Sequence, residues 1–258
     1  MHCQPSAILK VYNWLKIKQT CLLCDEQVDT PLPLCAGCEA ELPWLGAHCQ
    51  LCALPLAVDG LTCGNCLKRP PPFGRVEAPW RYGFPIDALI NRFKHQARWP
   101  IGRLLGELLA RHLAHAFNEG LPRPDLLVPV PLSPKRQRQR GFNQAQMLAE
   151  VLSRTLQVAQ RSDWLQRIGD PPAQQKLDAA ARRRNLRGAF TLSPIARPSG
   201  LHLALIDDVL TTGATAQQLA RLLMRAGAAR VDVYCLARTP APGCLLYTSD
   251  AADDSLRV

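Results

Sequence analysis

Eight of the chain's eleven cysteines are confined to one short stretch, as the four C-x-x-C pairs Cys21/Cys24, Cys35/Cys38, Cys49/Cys52 and Cys63/Cys66, each ten residues from the next. A C-x-x-C knuckle presents two thiolates to one tetrahedral ion, so four pairs call for two four-thiolate sites. A reducing compartment opposes disulfides, and a thioredoxin-like redox pair needs one motif rather than four. An iron–sulfur cluster uses the same ligands, and spacing does not separate it from zinc. Structural Zn2+ is the economical reading, with the first four cysteines on one ion and the last four on the other, although the spacing also permits interleaved pairing. Closed thiolate shells have no open position for chemistry, and so small an apolar complement does not fold without metal. This module is therefore expected to scaffold or bind rather than catalyse.

The remainder is large enough for a core of its own. The 258 residues are 47% hydrophobic and 20% charged, the balance of a globular chain rather than a disordered one. No run of 18 apolar residues occurs, and Lys10, Asn13, Lys16, Lys18 and Gln19 break up the first twenty residues, so neither a membrane span nor a signal peptide is expected. The expected location is the cytoplasm, without membrane insertion. The formal charge of +10 favours anionic partners, and it is uneven: residues 123–190 hold 13 Lys/Arg against 5 Asp/Glu.

A basic, proline-rich run at Lys68-Arg69-Pro70-Pro71-Pro72 reads as a stiff connector, which gives expected domains at 1–72 and 73–240. Beyond it, residues 75–82 have strand character. Residues 86–94 and 101–117 carry helical periodicity broken at Pro100, and 126–131 read as a buried strand followed by a basic turn. A helix over 143–156, an apolar strand over 201–206, a helix over 216–226 and a strand over 230–236 complete the pattern. Alternating β and α elements predict an α/β fold with a mainly parallel sheet covered on both faces.

The segment Leu203-Ala204-Leu205-Ile206-Asp207-Asp208-Val209-Leu210-Thr211-Thr212-Gly213-Ala214-Thr215 carries the chemistry. A hydrophobic strand delivers two acids to the carboxyl edge of the sheet, and a Thr/Gly turn then opens a helix. Backbone N–H groups, hydroxyls and the positive helix end converge there on one point, which suits a monophosphate, while the acids suit vicinal ribose hydroxyls. Adjacent acids repel each other, and a ligand or Mg2+ would relieve that repulsion. The combination asks for a phosphorylated ribose.

This string resembles the PRPP-binding motif of type I phosphoribosyltransferases at every constrained position. Together with the four C-x-x-C pairs, Phe93-Lys94-His95, Val128-Pro129-Val130-Pro131, Arg140-Gly141-Phe142-Asn143-Gln144 and Arg183-Arg184-Asn185-Leu186-Arg187-Gly188-Ala189-Phe190, it resembles the ComF family (competence protein F, GntX-like) across roughly residues 21–239. The resemblance implies a double zinc ribbon preceding a type I phosphoribosyltransferase fold. It also implies a role in DNA uptake or in using DNA as a nutrient, alongside other DNA-uptake proteins. By the same resemblance Asp207 and Asp208, the candidate catalytic pair, bind the ribose hydroxyls of PRPP with Mg2+, and Thr211, Thr212, Gly213, Ala214 and Thr215 bind its 5-phosphate.

Two basic stretches occupy the places of the pyrophosphate loop and the mobile lid of such enzymes. Lys135 and Arg136 in the first and Arg184 in the second are candidates for PRPP, with Arg182 beside them in the lid. Arg138, Arg140, Arg183, Arg187 and Lys94 are candidates for single-stranded DNA, whose phosphates cationic grooves track. Asn143 stands where it could cap a helix, and Phe142 and most of the aromatic cluster Trp80, Tyr82, Phe84, Phe93 and Trp99 are expected in the core. Nothing identifies an acceptor nucleophile. A nucleobase salvage or biosynthetic phosphoribosyltransferase and a non-catalytic zinc-ribbon DNA adaptor therefore stand as alternatives to a PRPP-binding protein of DNA uptake. Residues 241–258 match neither the periodicity nor the family pattern, and are expected to lie outside the fold.

Overall fold

The computed structural model describes residues 19–168 and 188–240. The readings that involve Arg182, Arg183, Arg184, Arg187 and residues 241–258 lie outside the described residues. The chain divides into two units, Met1–Leu42 and Pro43–Val258.

In the first unit β1 (Gln19–Thr20) and β2 (Gln27–Val28) pair antiparallel around Cys21 and Cys24, and α1 (Ala36–Ala40) follows Cys35. In the second unit Cys49 and Cys52 precede α2 (Gly64–Lys68), which starts at Cys63. The two knuckles repeat one local device. Cys21 N–H donates to Glu26 O at 2.7 Å, as Cys49 N–H does to Leu54 O at 2.8 Å. The residue after each second cysteine, Asp25 (φ 61°) or Ala53 (φ 53°), is left-handed, which turns the chain back over its own thiols.

The second unit holds a six-stranded sheet of β3 (Val76–Glu77), β4 (Trp80–Arg81), β5 (Leu126–Pro129), β6 (Ala159–Gln160), β9 (His202–Leu210) and β10 (Arg230–Arg238). Its order is β3-β10-β9-β5-β6, with β4 also on β10, and every pairing is parallel. β7 (Leu165–Arg167) and β8 (Phe190–Leu192) form a separate antiparallel pair. After α2, the described residues add α3 (Ile86–Gln96), α4 (Trp99–Asn118), α5 (Pro134–Arg140), α6 (Gln144–Leu156) and α7 (Ala214–Arg225). Leu203, Leu205, Val231 and Val233 of the central strands join Leu219, Ala220 and Leu223 of α7 in one apolar cluster. Close approach among α3, α4 and α6 relies on glycine: a Cβ on Gly102 would lie 2.3 Å from the Phe93 ring, and one on Gly106 would lie 3.0 Å from Val151.

Four local expectations are corrected. The strand over 75–82 is two short strands, because Pro79 has no N–H to give the ladder; its carbonyl accepts from Leu45 N–H at 2.7 Å. The helix break falls at left-handed Ala97 (φ 48°), while Pro100 sits in the first turn of α4, where a missing N–H costs nothing. The basic stretch after β5 is a helix rather than a turn: the Ser133 side chain accepts from Arg136 N–H at 3.3 Å, Pro134 opens α5, and Gly141 (φ 78°) closes it. Of the aromatic cluster, Trp80 and Phe93 are buried, whereas Phe84 and Trp99 are 82% and 50% exposed. Phe142 is half-buried, with its ring centroid 4.7 Å from that of Trp99. Among the described residues no helix is long and apolar enough to cross a membrane.

Candidate functional site

The two four-cysteine centres follow from the knuckles. Cys21, Cys24, Cys35 and Cys38 form one cluster and Cys49, Cys52, Cys63 and Cys66 the other, each with all four Sγ atoms within 4.8 Å of one another. The pairing is thus consecutive, not interleaved. A tetrahedral Zn2+ with bonds of about 2.3 Å sets its sulfurs roughly 3.8 Å apart. Cys24 and Cys35 Sγ are 3.7 Å apart, as are Cys52 and Cys63 Sγ, far beyond a disulfide bond. Backbone donors support the thiolates: Cys38 N–H points at Cys35 Sγ (3.4 Å) and Cys63 N–H at Cys49 Sγ (3.3 Å). Both donor sets fit structural zinc, and neither leaves a position open for substrate.

The second site sits where the sheet changes direction. From β5 the chain moves out to β6, and from β9 it moves the other way to β10, so a crevice opens outside the carboxyl ends of the adjacent strands β5 and β9. β9 brings Asp207 and Asp208 to this edge. Each folds one oxygen onto the next backbone amide: Asp208 N–H donates to Asp207 Oδ1 at 2.9 Å and Val209 N–H to Asp208 Oδ1 at 2.7 Å. Asp208 is 5% exposed, and its Oδ2 is buried without a hydrogen-bond donor. Lys94 Nζ of α3 lies 3.0 Å from that oxygen, off the hydrogen-bonding direction, so their attraction is one of charge alone. Loss of water around the Asp207 carboxyl, and then the neighbouring charge of Asp208, push its pKa up to about 7, against the bond from Asp208 N–H and the charge of Lys94.

Beyond the acids, Thr211 and Thr212 are exposed and Gly213 adopts φ 72° at the start of α7. A Cβ there would meet nothing closer than 3.9 Å, so conformation rather than space selects glycine. The N-cap Gly213 offers no side chain, and Ala214 N–H donates to Thr212 Oγ1 at 3.4 Å. The helix start leaves the next amides without an intrahelical acceptor and carries the positive end of the helix dipole.

α5 contributes the cations. A hollow of about 340 Å3 is lined by Lys94, His95, Ala97, Arg136, Gln139 and Arg140. Burial, opposed by the charge of Asp208, lowers the Arg140 pKa, with Arg136 adding to the fall. Lys94, Arg136 and Arg140 are thus brought together beside Asp208, with Lys94 turned toward the acid, whereas Lys135 and Arg138 stand exposed on α5 outside this lining. Asn143 caps α6, accepting from Ala145 N–H at 3.0 Å, and its Nδ2 donates to Val130 O at 3.0 Å, which ties α6 to the exit of β5. Sequence reasoning quoted His95 only within Phe93-Lys94-His95 and gave it no role, and it missed Gln139, which lacks any motif, and Arg238, whose one signal is a cation ending an otherwise apolar strand.

An acid pair and a Thr/Gly helix start on the carboxyl edge of a parallel sheet, with two four-cysteine ribbons ahead of them in the chain, define a zinc-ribbon protein of the phosphoribosyltransferase-like class. The double zinc ribbon domain family matches residues 17–67. "DNA utilization protein YhgH" of Salmonella typhi is 38% identical over 208 residues, covering 80% of this chain and 90% of that protein. "Competence protein F" of Haemophilus influenzae is 35% identical over 212 residues, with the same coverage of 80% and 90%. The chain belongs to this family, the ComF family. Among solved structures, the purine phosphoribosyltransferase of Pyrococcus horikoshii is similar over 53% of this chain and 74% of its own, at 17% identity and a TM-score of 0.34.

Proposed function

We propose that the crevice binds a phosphorylated ribose, PRPP with Mg2+ being the ligand that fits best, and that the protein acts in DNA uptake or utilisation, contacting single-stranded DNA through its basic face. The observation that carries the reading is the buried Asp208, whose Oδ2 has Lys94 as its one partner, beside the Thr/Gly start of α7. A burial of that kind leaves a carboxylate with unmet accepting capacity, which a ribose hydroxyl or a cation satisfies. Asp207 and Asp208 would hold the vicinal hydroxyls, Thr211 to Thr215 the 5-phosphate, and Lys94, Arg136 and Arg140 the pyrophosphate. Mg2+, held beside the acids, would neutralise charge on the pyrophosphate. If transfer occurs, the bond from C1 to pyrophosphate breaks, the leaving group keeps the electron pair, and a base nitrogen forms the new bond from the opposite face.

The relatives' names support the link to DNA, and the cations on α5 supply a surface for its phosphates. Calorimetry with PRPP and Mg2+ tests the reading: binding is expected for the native chain and lost in Asp207→Ala/Asp208→Ala. Absence of heat with the native chain sinks it and leaves the DNA-binding adaptor. Turnover against a panel of nucleobases would instead identify a salvage or biosynthetic enzyme. Affinity for single strands that falls with salt supports the DNA contact, and salt-independent binding opposes it.

A further inference from the structure

Arg238 ends β10 and is 7% exposed, so its permanently charged guanidinium is held inside the second unit. Its Nε donates to the carbonyl of Cys52 at 2.9 Å. Its Nη1 lies within hydrogen-bonding distance of three more carbonyls, Leu210 at 3.0 Å, Thr211 at 2.6 Å and Thr239 at 2.7 Å. Three of these contacts join places that sequence keeps far apart. Cys52 is a member of the second cysteine cluster, 186 residues away; Leu210 ends β9 and Thr211 begins the turn into α7. One planar fork of donors therefore fixes the backbone of a metal ligand relative to the backbone that leads into α7.

We propose that Arg238 is a positioning residue that couples the second cysteine cluster to the phosphate loop. A closed four-thiolate shell fixes the Cys52 carbonyl, that carbonyl fixes the guanidinium, and the guanidinium holds the carbonyls of Leu210 and Thr211 turned inward. With those carbonyls held in, the loop's following N–H groups face out toward an anion. Loss of metal from this cluster frees the Cys52 backbone and leaves a buried charge short of an acceptor, so the loop shifts to supply one. Coupling is reciprocal: a ligand on the loop raises the affinity of the second cluster for metal by the same factor. Occupation of the loop by phosphate rests on the function proposed above; the mechanical link does not.

The test uses the full chain, with zinc counted by native mass spectrometry, amide hydrogen exchange followed across residues 210–217, and PRPP–Mg2+ affinity measured by calorimetry. Cys66→Ser opens the second cluster without touching Cys52, and Cys21→Ser opens the first as a control for losing zinc as such. Cys66→Ser is expected to speed exchange in the loop and weaken PRPP about tenfold, within the usual range of couplings between sites, while Cys21→Ser leaves both readouts near native. Arg238→Gln is expected to give the same loop effect, and adding Cys66→Ser to it should change the loop no further. A residue of merely structural importance would instead give additive losses. Arg238→Lys, which keeps the charge but not the planar fork, should fall between native and Gln, and it stands in for Arg238→Gln if that variant does not fold. Native loop exchange in Cys66→Ser, or additivity in the double variant, overturns the proposal. If the native chain takes up no PRPP, the phosphate reading falls while the exchange data still decide the coupling.

Discussion

The two ends of the same parallel strands each bury an acid, and they treat it in opposite ways. At the amino ends Asp232, with no exposed surface, accepts from Arg75 N–H at 3.1 Å, from Arg230 Nε at 3.0 and 3.1 Å and pairs with His202 Nε2 at 2.8 Å. Burial alone would raise its pKa, but the bonds from His202 and Arg230 hold it below the usual carboxylate range. At the carboxyl ends Asp207 is pushed up to about 7, and Asp208 keeps an oxygen that only a charge addresses. The first arrangement completes itself within the fold. The second leaves an oxygen of Asp208 paired with Lys94 alone, and on that contrast the proposed site rests.

Breaking each end should have opposite consequences. The largest effect is expected from Asp207→Asn/Asp208→Asn, which should abolish PRPP binding in calorimetry while leaving the thermal midpoint unchanged or raised, since repulsion between the acids is removed. Asp232→Asn should do the reverse, destabilising the chain by about 3–5 kcal/mol because Arg230 and His202 lose a buried partner, with affinity of the folded fraction near native. Denaturant titration reads that loss, and a binding defect in Asp232→Asn without destabilisation would erase the distinction between the ends. Next comes Gly74→Ala, whose Cβ would lie 2.6 Å from Asp232 Oδ1. Overpacking there should cost about 1–3 kcal/mol, again without loss of ligand.

Dependence on pH sharpens the comparison. The depressed pKa of Asp232 contributes stability that is present above its ordinary value of 3.8 and is lost as pH falls further. The raised pKa of Asp207 has the opposite sign: its contribution is present below 3.8 and is lost as pH rises to about 7. Thermal midpoints of native chain and Asp207→Asn should therefore diverge in the variant's favour between those limits, and parallel curves would remove Asp207 from the account. The smallest expected change is Asn143→Ala, about 1 kcal/mol for a lost cap, read by thermal denaturation. It also frees the Val130 carbonyl, so a modest weakening of ligand is expected at the carboxyl edge alone.

Much of this was legible in the residues because the signals are local. The knuckle spacing and the acid, Thr and Gly order of residues 207–215 are constraints a few residues long, and the structure places each where local geometry requires. The helix α5 was missed for an equally local reason: none of its residues is buried, so it shows no apolar periodicity, although Ser133, Pro134 and Gly141 punctuate both its ends. Phe84 and Trp99 misled because a large apolar side chain signals a core only when something packs over it.

By itself the sequence determined two thiolate centres, an alternating α/β domain and a Thr/Gly turn opening a helix after two acids, since thiol spacing, hydrophobic period and turn chemistry act between near neighbours. Only the tertiary structure decided that Lys94 meets Asp208, that His202 and Arg230 close around Asp232, and that Arg238 reaches Cys52. Those meetings depend on strand order and on how helices cross the sheet. Burial then makes a charge take whichever partner the fold brings within reach, because withdrawn from water it has no other.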